Sequence, residues 1–427
     1  MKITVLSDGH GKNGSSLFIQ FSEKSGLDNN INEKTPFLID LGPGYELGVT
    51  EYLERIGKTS NKKINVLITH THADHFCPEN LFYKAYASGI KEINLFGPAQ
   101  GEYKNGNLES KLLTRNTSEY VLNAINSNPI TGAIELEINC YDIFPSGNYE
   151  KSVIKQKQRD SLEMEKFFLE KNKFMVEMVE VNNLCFSMLS SKTYSVKGVY
   201  GEHVIPTISG YSIEELFLKF EIDNKAAKNL AIDESELGRK IKNLKDKVLE
   251  FYKKSELINI FSKSSELVKE ANKDYEKEII KMDLKNVKAT YITDTGLYFG
   301  EKSIIERFQN LAMDSDILIV GANKLFQEQE GTGGRYHLSL KDALLLKDSS
   351  NSKRLSLMHF PWTMERFTDD IKNFYLGLKN MSKHQKEAFL KFNEILLERN
   401  DVYIAYSGIQ YEITSDFFKV KSKKWMK

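Results

Sequence analysis

The run His70-Thr71-His72-Ala73-Asp74-His75 constrains this chain more than any other feature, and it follows directly on the apolar stretch from Ile64 to Thr69. The chain holds 8 histidines in 427 residues. An H-x-H-x-D-H arrangement would arise somewhere by chance with a probability on the order of 10⁻⁴, so it is read as a working part. The preceding stretch predicts a buried strand, which delivers the run to a strand end. Two imidazoles two residues apart in an extended turn can reach one metal ion, and the adjacent Asp74 and His75 can turn toward a second.

The surroundings have the texture of an α/β layer protein, with short apolar strands followed by turns and helices. Strands are predicted at Ile3 to Leu6 and Leu17 to Phe21 around the Gly-rich loop Asp8 to Gly14. A strand from Phe37 to Asp40 should end in Gly42-Pro43-Gly44, followed by a helix from about Tyr45 to Ile56. Core-like strands recur at Ala289 to Ile292, Ile317 to Val320, Leu355 to Met358 and Val402 to Ala405. Each ends in polar residues, where open α/β folds place their chemistry. We expect one domain over residues 1–427 with two digressions. The first, 104–182, mixes strand and helix. The second, 223–283, is free of proline and rich in Lys, Glu and Leu, and reads as a helical projection. There Leu237, Ile241, Leu244, Val248 and Phe251 keep the spacing of one buried seam, and Val268, Ala271, Tyr275 and Ile279 continue it.

Composition narrows the function classes. Lys+Arg and Asp+Glu both number 59, so the formal net charge is 59 − 59 = 0. That excludes a globally basic nucleic-acid coat while leaving room for a local basic patch. Three scattered cysteines, Cys77, Cys140 and Cys185, cannot make a disulfide framework or a thiolate zinc site and suit a reducing compartment. The first ten residues lack the apolar region of a signal peptide, and no stretch approaches the roughly 20 apolar residues of a membrane span. A cytoplasmic protein without membrane contact is expected.

With these residues in hand, the chain resembles the metallo-β-lactamase superfamily, and within it the ribonuclease Z-like phosphodiesterase branch. The resemblance runs through Phe37-Leu38-Ile39-Asp40-Leu41-Gly42, Leu95-Phe96-Gly97-Pro98, Glu202-His203-Val204-Ile205-Pro206 and Thr293-Asp294-Thr295. It continues through His359 after Leu355 to Met358 and closes with Ala405-Tyr406-Ser407-Gly408-Ile409, where many relatives carry an acidic residue in place of Ser407. It implies an αββα four-layer sandwich with the two insertions. It also implies a dinuclear centre in which His70, His72 and His203 hold one metal, Asp74, His75 and His359 the other, and Asp294 bridges them. Arg335-Tyr336-His337-Leu338-Ser339 resembles the segment that carries a catalytic histidine outside the metal shell, which implies for His337 a role as proton donor to the leaving oxygen or as stabiliser of charge on the phosphoryl group, while Asp74 is expected to position the attacking water. Relatives place a His-Glu pair after the preceding strand, whereas Gly321-Ala322 stands here, so the carboxylate expected to orient His337 is missing.

Five imidazoles and two carboxylates suit two divalent ions, zinc foremost, with manganese or iron as substitutes. The resemblance thus implies a hydrolase that works through a hydroxide bridging two metals. A phosphodiesterase acting on RNA, single-stranded DNA or a cyclic nucleotide is expected first. An acyl hydrolase of lactonase or thioesterase type would use the same ligands, and a non-catalytic scaffold keeping the fold is the third reading. The expected partners are a nucleic acid or nucleotide substrate and, through 223–283, a second copy or another protein. His10, Cys77, Trp362, Arg366 and Phe367 could border the site, with ordinary loop and packing roles as the alternative.

Overall fold

The computed structural model describes residues 1–9, 14–21, 35–99, 116–127, 135–145, 174–181, 183–190, 194–201, 207–222, 280–295, 302–322, 337–359, 398–414 and 416–422, with Ser235, Arg239 and Glu394 as single helical positions. Strand side chains face opposite sides in alternation. In β4 (Lys63–Leu67), Ile64 and Val66 point into one apolar cluster and Leu67 into another, so the strand is buried on both faces. The same holds in β12 (Ile317–Gly321), where Ile317 and Ile319 face one side and Leu318 and Val320 the other.

Two sheets result. The first contains β1 (Lys2–Asp8), β2 (Ser15–Gln20), β3 (Phe37–Ile39), β4, β5 (Glu92–Pro98), β6 (Glu137–Pro145), β7 (Phe174–Val181), β15 (Ile409–Ile413) and β16 (Phe418–Ser422), in the order β16-β15-β1-β2-β3-β4-β5-β6-β7. The second contains β8 (Cys185–Ser190), β9 (Tyr194–Gly201), β10 (Thr207–Ile222), β11 (Ile280–Ile292), β12, β13 (Leu355–Met358) and β14 (Val402–Ile404), in the order β14-β13-β12-β11-β10-β9-β8. The sheets share one core that includes Ile3, Val5, Leu17, Leu67, Tyr211, Tyr291 and Ile319. Helices α1 (Tyr45–Gly57), α2 (Glu79–Ala87) and α3 (Thr117–Ser127) cover the outer face of the first sheet. Helices α4 (Lys302–Ala312) and α5 (Leu340–Ser349) cover the second. The architecture is the expected four-layer αββα sandwich.

The described parts of 104–182 are built into this sandwich. α3 buries Val121, Leu122 and Ile125 against the first sheet, and β6 and β7 extend that sheet in parallel from β5. The 223–283 segment requires a correction at its end. Residues 280–283 are strand, because β11 pairs with β10 without a break from Gly210↔Ile292 out to Ile222↔Ile280. A backbone that completes antiparallel hydrogen bonds on a neighbour satisfies its polar groups as fully as a helix would. Apart from Ser235 and Arg239, the apolar seam from Leu237 to Ile279 lies outside the described residues. No described helix is long and apolar enough to cross a membrane.

Candidate metal centre

The parallel strands β4, β11 and β13 all end at one edge of the sandwich, and the residues just past them meet there. β4 leads through Ile68 and Thr69 to His70. The Ile68 N–H donates to the Phe96 carbonyl at 2.7 Å, and the Ile208 N–H donates to the Thr69 carbonyl at 2.9 Å. The 70–75 turn closes on itself through His75 N–H to His72 carbonyl at 2.9 Å and Phe76 N–H to the same oxygen at 2.8 Å. It is gripped from the β2 side by Ser15 N–H to Asp74 carbonyl at 2.8 Å and by Leu41 N–H to His75 carbonyl at 2.7 Å. That grip depends on glycine, since a Cβ on Gly14 would sit 2.3 Å from the Asp74 carbonyl oxygen.

Six of the seven expected ligands converge. Asp74, His75, Asp294 and His359 each present a donor atom within 4.8 Å of the others, and His70, His72 and Asp74 form a second such group. His75 Nε2 lies 3.2 Å from Asp294 Oδ2, His70 Nε2 3.6 Å from the same oxygen, and His359 Nε2 3.4 Å from Asp74 Oδ2. His70 Nε2 and His72 Nδ1 are 3.1 Å apart. The seventh, His203, lies outside the described residues. Gly201 and Thr207 on either side pair with each other. His10, Trp362, Arg366 and Phe367 also lie outside them.

Burial and charge act against each other at these groups. Burial raises the Asp294 carboxyl, but attraction to His359 and His75 and the hydrogen bond from His337 outweigh it and hold the group well below its ordinary range. Asp74 is likewise lowered: burial opposes, and the attraction of His359 and His75 prevails. Burial works against charge on His75 and His359 too, yet Asp294 and Asp40 raise the former and Asp294 and Asp74 the latter. At His72 burial dominates and the imidazole is lowered.

Such a set fits divalent cations. His75 Nε2 and His359 Nε2 are buried and face the Asp294 and Asp74 carboxylates at 3.2 and 3.4 Å, but among the described residues no aligned hydrogen bond satisfies either of them or His359 Nδ1. That would be costly if nothing else were to bind them. Nitrogen and carboxylate donors without thiolate are the mixture that suits zinc, manganese or iron. Cys77 stays outside this set. Its Sγ hydrogen-bonds to the Ala73 carbonyl at 3.1 Å, and burial together with Glu79, Glu46 and Asp74 pushes the thiol up to about 11.

Asp40 is the residue to which the sequence assigned no role. It is fully buried in a left-handed conformation with φ 55°. Its carboxylate accepts from Thr69 N–H at 2.8 Å, from Thr69 Oγ1 at 2.9 Å and from His75 Nδ1 at 2.8 Å. This fixes the tautomer of His75 and turns Nε2 toward the centre. Burial raises the Asp40 carboxyl against the pull of His75 and Thr69. An acidic residue closing the apolar strand Phe37 to Ile39 was the available signal.

His337 also reaches the centre. Its Nδ1 lies 3.2 Å from Asp294 Oδ1, so the carboxylate facing it comes from Asp294 rather than from the Gly321-Ala322 position. The capping box of α5 fixes the chain two residues further on: Ser339 Oγ accepts from Asp342 N–H at 3.2 Å, and Asp342 Oδ2 accepts from Ser339 N–H at 2.9 Å. His337 and Asp74, with 21% and 47% of their side chains exposed, and the half-buried His72 form the solvent side of a cluster whose other described groups are buried.

No family model matches the chain, and no curated protein matches it. Solved structures similar to it include the short form of human tRNase Z (ELAC1), 12% identical, with 97% of this chain and 100% of that chain covered and a TM-score of 0.48. The metallo-β-lactamase fold protein YhfI from Bacillus subtilis is 12% identical, with 96% and 98% covered and a TM-score of 0.39. A diphosphatase of the PhnP family is 12% identical, with 97% and 98% covered and a TM-score of 0.39. The chemistry open to this site is set by the donors it holds.

Proposed function

We propose that this chain of metallo-β-lactamase fold is a metal-dependent hydrolase with a dinuclear centre, and that its substrates are phosphodiesters of RNA, single-stranded DNA or a nucleotide. The observation that carries the reading is the convergence of His70, His72, Asp74, His75, Asp294 and His359, with buried imidazole nitrogens that have no aligned hydrogen bond among the described residues. His70 and His72, with His203, would hold one ion. Asp74, His75 and His359 would hold the other, and Asp294 would lie between them. Two such ions, zinc foremost, would supply Lewis acidity: activation of water near neutral pH and neutralisation of charge on a phosphoryl group.

The chain's own residues do the rest. Asp40 keeps the proton of His75 on Nδ1. Asp294 accepts from His337 Nδ1 and so leaves Nε2 of that ring to carry the proton a departing oxygen needs. A general acid beside the centre favours a phosphodiester over a thioester, because an alkoxide leaving group gains far more from protonation than a thiolate.

The test is elemental analysis of protein purified without chelator, with turnover of bis-p-nitrophenyl phosphate, a lactone and a thioester measured on the same preparation. About two transition-metal ions per chain and chelator-sensitive diester cleavage are expected. Lactone or thioester turnover alone would replace the phosphodiester reading by an acyl one. A chain that binds metal and turns over none of the three would be a scaffold.

A further inference from the structure

We infer that Asp8 and Gly9 are positioning residues for His359, locked in place by Ser407, so that the last imidazole of the centre is held by the end of β1 as well as by its own strand. The inference rests on the reading of His359 as a metal ligand. It concerns what keeps that ligand aimed.

His359 follows β13 in a left-handed conformation with φ 60°. A residue with a Cβ does not choose that conformation unaided. Two contacts hold it there. The His359 N–H donates to the Asp8 carbonyl at 2.9 Å. The imidazole lies against Gly9, so closely that a Cβ on Gly9 would come within 2.9 Å of His359 Cδ2 and 3.0 Å of Cγ. Gly9 has φ 72°, which glycine alone adopts at little cost.

Asp8 is anchored in turn. Its buried carboxylate is not among the donors that converge on the centre. One of its oxygens accepts from both the backbone N–H of Ser407 at 2.9 Å and the Ser407 hydroxyl at 3.1 Å. Beside this contact the Gly408 N–H donates to the Val5 carbonyl at 2.8 Å, and the Ala405 N–H donates to the Leu357 carbonyl at 2.8 Å. The turn between β14 and β15 therefore fastens both β1 and β13. Through the carboxylate of Asp8, that turn, the Gly9 wall and the His359 backbone act together. A β1 end released from Ser407 is free to withdraw both the carbonyl and the wall that keep φ of His359 positive.

Amide hydrogen exchange of the metal-free full chain reads this directly. In Asp8→Ala the His359 amide should exchange about tenfold faster, the scale of one lost hydrogen bond, while the amides of Leu355 to Leu357 keep their wild-type protection. Ser407→Ala, which leaves the backbone N–H bond in place, should give a smaller acceleration. Asp8→Asn, which keeps an acceptor for Ser407, should restore most of the protection.

Zinc titration against a chromophoric chelator supplies the second readout. Asp8→Ala and Gly9→Ala should weaken one of the two zinc sites by about 10- to 100-fold and leave the other unchanged. Wild-type exchange at His359 in Asp8→Ala overturns the inference, as does equal weakening of both zinc sites. Should Asp8→Ala not fold, unchanged exchange in Ser407→Ala has the same force. A wild-type chain that takes up no zinc would overturn the proposed function, and the exchange measurement would still decide the roles of Asp8 and Gly9.

Discussion

Replacing Asp40 with Asn changes one atom of a fully buried side chain and should separate the fold from the centre. The carbonyl oxygen of the introduced amide can keep the Thr69 N–H, which Asp40 holds at 2.8 Å. The amide nitrogen then stands where Oδ2 accepted from His75 Nδ1 at 2.8 Å. A donor now meets a donor. Either the bond is lost, at about 1–3 kcal/mol for a buried group, or His75 moves its proton to Nε2 so that Nδ1 can accept. In the second case the nitrogen that faces Asp294 at 3.2 Å no longer has a lone pair for a metal. Both routes disable the same ligand, and loss of such an orienting partner costs about 10- to 100-fold in metal affinity.

Asp40→Ala is harsher. It strands the Thr69 and His75 donors together and should cost about 3–5 kcal/mol, a large share of the roughly 5–15 kcal/mol that holds a domain folded. The assay pairs calorimetric melting of the metal-free protein with zinc titration against a chelator. The expected result for Asp40→Asn is a modest loss of stability with a large loss at one zinc site. In a His75→Ala background, Asp40→Asn should add nothing further to the metal loss. Wild-type affinity at both sites in the single variant would refute the reasoning.

His337→Ala should leave metal content unchanged and slow cleavage of a diester with a poor leaving group by roughly 10²-fold, with little effect when p-nitrophenolate leaves; equal rates on both substrates would remove it as the acid. Gly14→Ala drives a Cβ to 2.3 Å from the Asp74 carbonyl and the Gly42 Cα, so it should lower both stability and zinc uptake, whereas an alanine at Glu54, exposed on α1, should change neither. Hydrogen bonds from Arg399 and Lys347 hold the Asp401 carboxyl down to about 2, against burial, from an ordinary 3.8. A depressed folded value stabilises the chain above pH 4 and ceases to do so as pH falls through 2. The melting temperatures of wild type and Asp401→Asn should therefore differ at pH 6 and converge between pH 4 and pH 2.

Much of the site was legible because its chemistry is dense along the chain. His70 to His75 is contiguous, and Asp294, His337 and His359 each sit beside an apolar strand or a helix start that patterning reveals. Asp40 and Asp8 were not assigned, because a lone acidic residue at a strand end looks the same whether it faces water or an imidazole. Their roles come from pairings 35 and 399 residues apart, His75 with Asp40 and Ser407 with Asp8. The first sheet was only partly legible. Residues 137–145 and 174–181 form parallel strands on its far side, yet in Phe174 to Val181 the charges Glu177 and Glu180 stand three apart, without the period of two that marks a strand, and give no sign of its neighbour. Residues 280–283 misled for another reason. Lys281 and Asp283 continue the charged texture of the preceding stretch, and only the partner strand makes them β.

The unbroken pairing of β10 with β11 also has a mechanical side. Asp294 stands just beyond one end of the ribbon, and the chain enters and leaves 223–279 at the other. Twelve steps along β11 at about 3.4 Å each put some 40 Å of strand between them. Among the described residues, strands flank only the half nearer the site, β9 up to Glu215 and β12 from Ala289. Two strands cross-linked at every register position resist stretching far more than bending, so a load on the outer half is delivered to the flanked half as a torque. The Thr293 N–H, which donates to the Ser209 carbonyl at 2.9 Å next to Asp294, lies at the fulcrum end. A load applied at Ile222 or Ile280, the outer end of the ribbon, thus has a lever on Asp294 from about 40 Å away.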